Sequence, residues 1–261
     1  MEILDKTISD ETAALISDIE QRLSKPVVYD FTDPSTKEYG YCDYSRPEAY
    51  YVYSAESLFN AAKKNQINIP FETNLLHELS HLCQIEESFP YTRTKNTTET
   101  ISNAEYYNAL GSVICSSILD LNVDSRLKQY GFDSRYFYGQ RMIQFEKQLR
   151  KGIVYDKLTP PEFIRTAMMV SSLRIAFDNP KLTQILQTLH PNNLPLLNCT
   201  NEISREIKTI GYDTAEGAFR CLVLVFSAFN LFSTHSIVYR GKEYGDTPCV
   251  CGDFPDIRLL K

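Results

Sequence analysis

Apolar residues recur at helical spacing over residues 8 to 24, where Ile8, Ala13, Leu15, Ile16, Ile19 and Leu23 precede Lys25-Pro26. This predicts an amphipathic N-terminal helix, closed by the proline. Val27-Val28-Tyr29-Asp30-Phe31 reads as a strand followed by the turn residues Asp33-Pro34-Ser35, and the tyrosine-dense runs Tyr39 to Tyr44 and Ala49 to Tyr53 read as two more. A small antiparallel or mixed sheet is the expected arrangement of such runs, their tyrosines filling a sheet surface. The period then turns helical, from Ala55 to about residue 65 and, after Ile67-Asn68-Ile69-Pro70, to about residue 87, with Pro70 tolerated in a first turn. Pro90 and the polar stretch Thr92 to Thr98 predict a loop. A long helix follows, about Ile101 to Tyr130, with Gly131 as its C-cap. Further helices are expected over 134–149, 161–177, 180–189, 201–210 and 214–232, and a short strand over Ile237 to Tyr239 in an otherwise irregular tail.

The resulting fold class is α+β and predominantly helical. The 261 residues suffice for one large domain with a sizeable core. Within it, a soft subdivision separates an α+β portion over 1–133 from a helical portion over 134–261, with no linker long enough to make them independent. At 43% hydrophobic and 23% charged residues the composition is that of a globular chain. The net charge of -6 argues against nucleic acid or anionic membrane as a partner. No apolar run reaches the roughly 18 residues of a spanning helix, and Met1-Glu2-Ile3-Leu4-Asp5 lacks the basic and apolar regions of a secretory signal. A cytoplasmic location is therefore expected. The seven cysteines lack framework spacing and are expected to be reduced, and Cys249-Val250-Cys251 lacks the second half of a zinc site.

Against this background one pentapeptide carries chemistry. His77-Glu78-Leu79-Ser80-His81 is an HExxH sequence inside a predicted helix and holds two of the chain's four histidines. Residues four apart on a helix share a face, so both imidazoles can point at one ion. Glu78, directly after the first histidine, falls beside the remaining coordination position, where a carboxylate can take a proton from water acidified by the metal. Leu75, Leu79 and Leu82 supply an opposite, core-facing side. Catalytic zinc takes a third protein ligand. His190 and His235 are far downstream, and Gln84 and Glu87 stand where HExxHxxGxxH would need other residues, which excludes the metzincin pattern. In the following helix Asp120 and Asp124 share a face, while Glu86, Glu87, Glu99 and Glu105 are competing acids.

HExxH followed one helix later by two acids four residues apart resembles the gluzincin branch of the zincin metallopeptidases. The resemblance spans roughly residues 49 to 133. It implies a zincin-like core with zinc held by His77, His81 and Asp120, Glu78 as general base, and Asp124 as the acid that orients a zinc-bound histidine. This chain departs from the usual ExxxD form: Asp120, shorter than glutamate, requires a closer helix approach, and Asp124 or Glu105 remains an alternative. The resemblance also implies that the β run before the motif helix is the edge strand that receives an extended peptide. An oxyanion stabiliser is expected among Tyr106, Tyr107, His235 and Tyr239; His235 is favoured because histidine is scarce.

These readings converge on a zinc-dependent hydrolase, foremost a peptidase acting on a peptide or protein. Two others are compatible with the residues. One is a noncatalytic or regulated metal-binding scaffold; the other is a metal-dependent amidase or other nonpeptide hydrolase. The residues beyond 133 offer no motif that selects a substrate.

Overall fold

The structure is a computed structural model that describes residues 1–35, 39–61, 69–132, 143, 146–147, 158–176 and 194–245. The helices expected over 134–149 and 180–189, together with His190 and Cys249-Val250-Cys251, lie largely or wholly outside them. The described residues form an α+β fold rich in helix, with three small sheets. None of their helices is long and apolar enough to cross a membrane. Contacts divide the chain into two units: Met1–Glu87 with Val123–Tyr136, and Ser88–Asn122 with Phe137–Lys261. One long helix contributes residues to both units.

The first unit opens with the short hairpin β1 (Glu2–Ile3) and β2 (Lys6–Thr7), then α1 (Asp10–Arg22). Ser9 caps α1 by accepting the Thr12 amide at 3.2 Å. Thr12, Ile16 and Ile19, at helical spacing, form its buried face. The sheet comprises β3 (Val27–Phe31), β4 (Gly40–Asp43) and β5 (Tyr50–Ser54) in the order β3-β5-β4. β3 runs parallel to β5 and β4 antiparallel to it, so the sheet is of the mixed kind. The run expected as the edge strand is therefore central: β5 is paired on both sides, and β3 and β4 are the edges. Tyr50, Val52 and Ser54 are buried in strict alternation with the outward Tyr51 and Tyr53. On the outward face Tyr41 stacks on Tyr53, and the Arg46 guanidinium lies over Tyr51.

After α2 (Glu56–Ala61) comes α3 (Ile69–Glu86), which packs on α1 and on β4 and β5. Phe71, Leu75, Leu76, Leu79 and Leu82 are fully buried. Burial of that many large side chains, each contributing roughly 1.5–3 kcal/mol, makes α3 the spine of the unit. Polar ties fix its two ends. The buried Glu72 carboxylate accepts from the Ser9 amide at 2.9 Å, the Ser9 hydroxyl at 2.7 Å and the Thr12 hydroxyl. Glu86 accepts from the Ser24 amide at 2.9 Å and the Tyr50 hydroxyl at 2.6 Å.

The second unit contains β6 (Tyr91–Thr94), α4 (Thr98–Ser102), the first part of α5 (Ala104–Gln129), α6 (Pro160–Ala176), α7 (Leu194–Ile210), α8 (Ala215–Ala228), β7 (His235–Tyr239) and β8 (Lys242–Tyr244). Its core joins Leu110, Ile114 and Ile118 of α5 to Met168, Ile203, Leu222 and Phe226 of α6 to α8. Small polar residues let α6 and α7 approach closely: the Ser171 hydroxyl donates to the Thr200 carbonyl and the Ser204 hydroxyl to that of Ser171. β6 pairs with β7, and β7 with β8, both antiparallel. The expected loop over Thr92 to Thr98 thus begins as a strand. Of the other boundaries, α7 starts seven residues early because Pro195 fits a first turn, and α8 stops at Ala228 because Asn230 turns left-handed at φ 54°.

A candidate metal centre on the HExxH helix

The motif helix is intact over the full pentapeptide, and its leucines sit in the core as their spacing requires. That anchoring turns the opposite side outward with His77 and His81 half-buried. Their rings meet nearly edge-on, at an interplanar angle of 81° and a centroid separation of 4.8 Å. The two Nε2 atoms are 3.2 Å apart. Two nitrogens bound to one tetrahedral zinc at 2.0–2.1 Å would stand about 3.3 Å apart. The pair therefore has the spacing of two ligands of one ion.

The third member comes from α5. His77, His81 and Asp120 each place one ligand atom within 4.8 Å of the others, and among the described residues this is the only such group of three. Asp120 is 5% exposed and stands on α5 three residues before the portion that belongs to the first unit. That portion is fastened to the end of α3 by Arg126, whose guanidinium donates to Glu87 through both of its terminal nitrogens, one at 2.9 Å. Val123 and Leu127 are fully buried beside it. A spread of up to 4.8 Å exceeds the tetrahedral spacing by about 1.5 Å. Two imidazoles and a carboxylate form a donor set suited to zinc, so the residues fit the ion.

Glu78 lies on the same helix and is only 6% exposed. Cys42 on β4 is its neighbour across the unit. The thiol pKa is pushed up, first by burial and then by the Glu78 carboxylate. One turn earlier on α3, Asn74 donates to the Ser54 hydroxyl at 3.1 Å and packs against Gly40. β4 thus runs along the helix face that carries the motif. Gln84, 1% exposed, accepts a hydrogen bond from His81 Nδ1 at 2.9 Å.

No protein-family model, curated protein or solved structure matches this chain.

The remaining expected site residues are distributed as follows. Asp124 is 2% exposed, one turn beyond Asp120, and is not among the three converging residues. His235 is wholly buried on β7. Its Nε2 donates to the Tyr107 carbonyl at 2.8 Å, and its Nδ1 is 2.8 Å from the Thr234 hydroxyl. A Cβ on Gly111 would fall 2.9 Å from the His235 ring, so the glycine admits the imidazole against α5. Burial lowers the His235 pKa, and the bond to the Tyr107 carbonyl partly opposes that shift. Both ring nitrogens are thus engaged locally, and the structure gives His235 a packing role in its own unit. The hydroxyls of Tyr107 and Tyr239 donate to Glu99 and Glu216. Glu105 opens the first turn of α5, four turns before Asp120. Gln84 and Cys42 went unassigned in the sequence. Helical spacing does put Gln84 on the histidine face, seven residues after His77, whereas nothing local to Cys42 signals its proximity to Glu78.

Proposed function

We propose that the protein holds one zinc ion through His77, His81 and Asp120 and hydrolyses amide bonds, with peptides as the foremost substrate class. The observation that carries this reading is the convergence of these three ligand atoms beside a buried carboxylate, Glu78, on the same helix as both histidines. When bound, zinc supplies Lewis acidity that polarises a substrate carbonyl and acidifies water. Glu78 accepts a proton from the attacking water, whose oxygen bonds to the carbonyl carbon. As the C–N bond breaks, Glu78 returns that proton to the leaving nitrogen, so the carboxylate ends as it began. The gluzincin resemblance of the motif and of Asp120 supports the same assignment, and Asp124 is the acid it would place behind a ligand.

The test is the Glu78→Gln variant, compared with the wild type after both are loaded with zinc and incubated with a mixture of fluorogenic peptides. The expected result is equal zinc content and a loss of hydrolysis by about 100-fold or more, the usual contribution of a general base. Equal cleavage by both proteins would overturn the role of Glu78. Zinc retention without cleavage by either would overturn the peptidase reading in favour of a noncatalytic metal-binding scaffold.

A further inference from the structure

We infer that Gln84 is the positioning residue that fixes the tautomer and ring orientation of His81, leaving Nε2 as the ligand atom. The amide oxygen Oε1 of Gln84 has no proton to give, so the 2.9 Å contact with His81 Nδ1 requires the proton to reside on Nδ1. A neutral imidazole protonated at Nδ1 carries its lone pair on Nε2. That is the atom 3.2 Å from His77 Nε2. The inference rests on the metal-site reading above and adds a residue to it that the HExxH sequence does not contain.

The geometry behind the contact is local. Gln84 lies three residues after His81 in the last turn of α3, so the two side chains are neighbours on one helix face. At 1% exposure the amide is held by packing, and its bond to the imidazole is sheltered from competing water. A metal-ligating histidine commonly donates its second ring proton to a carboxylate. Here that acceptor is a neutral amide on the ligand's own helix. The contact therefore orients the ring without adding a negative charge beside the centre, and it does not depend on how α5 is placed.

The experiment compares wild type, Gln84→Leu and Gln84→Glu by two readouts. The first is nitrogen-detected NMR of the histidine rings in metal-free protein at mildly alkaline pH. The second is zinc affinity measured by competition with a chelator. The expected outcome is a single Nδ1-protonated His81 in wild type and Gln84→Glu. Gln84→Leu is expected to show a mixed or Nε2-protonated ring and a zinc affinity lowered about 10- to 100-fold, with Gln84→Glu restoring it. An unchanged His81 tautomer in Gln84→Leu, or equal zinc affinity in all three folded proteins, would overturn the inference. If Gln84→Leu fails to fold, an Nε2-protonated His81 in the wild type alone would overturn it. Wild-type protein that shows the Nδ1 tautomer but binds no zinc would sink the metal reading and leave the role of Gln84 in orienting His81 intact.

Discussion

Replacing Gly40 with alanine isolates the contact that seats β4 against the motif helix. The added Cβ would lie 2.3 Å from Asn74 Nδ2, 2.8 Å from the Tyr53 carbonyl oxygen and 3.0 Å from Asn74 Oδ1. The Tyr53 oxygen belongs to the backbone of the neighbouring strand β5 and cannot rotate away. Asn74 is buried, so moving its amide sacrifices the bond to Ser54. Overpacking of this kind costs typically about 1–3 kcal/mol. The displaced hydrogen bond adds roughly 1 kcal/mol, giving an expected loss of about 2–4 kcal/mol against a total stability on the order of 5–15 kcal/mol. Urea unfolding with an unchanged m-value is the assay. Asn74→Ala in the Gly40→Ala background removes two of the three close approaches. The cycle should therefore show a favourable coupling, within the range of about 0.5–3 kcal/mol found for touching residues. A single Gly40→Ala variant within about 0.5 kcal/mol of wild type would refute the claim that glycine is needed for this approach.

Two further outcomes follow from the buried groups. His235 has a folded-state pKa below its ordinary value of about 6.5, so the unfolded chain binds its proton at a higher pH than the folded one. Its contribution to stability is complete above about pH 6.5 and declines as pH falls through the window below that. The stability advantage of wild type over His235→Asn should narrow between mildly alkaline and mildly acidic pH; a constant or widening advantage would contradict this. Asp120→Ala should weaken zinc binding by at least about 10-fold, whereas Glu105→Ala, four turns away on α5, should leave it unchanged. Chelator competition distinguishes these, and the reverse pattern would remove Asp120 from the ligand set.

Legibility in the sequence followed the range of the interactions. His77, Glu78 and His81 were readable because one regular helix relates them, and the leucines between them fix which face turns inward. Asp120 was readable because helical spacing pairs it with Asp124, although the Arg126–Glu87 clamp that holds this part of α5 is a tertiary contact. The strands over Val27–Phe31 and Tyr50–Ser54 were readable as elements, yet their order was not. Alternation along β5 shows that one face is buried but not that both of its edges are paired. β6 escaped because Tyr91-Thr-Arg-Thr is polar and gains its strand character from pairing with β7, more than 140 residues away in the chain. Gly40 and Cys42 owe their importance to the approach of β4 to α3, which no local pattern encodes.

Whether the HExxH helix forms a metal centre is read most simply from calorimetric zinc titration of metal-free protein, alongside elemental analysis of the purified chain. One equivalent of zinc per chain for the wild type, raised thermal stability on zinc addition, and loss of both in a His77→Ala/His81→Ala variant are the predicted results. Absence of binding by folded wild-type protein, or an undiminished equivalent in the doubly substituted variant, would mean that His77 and His81 hold no zinc.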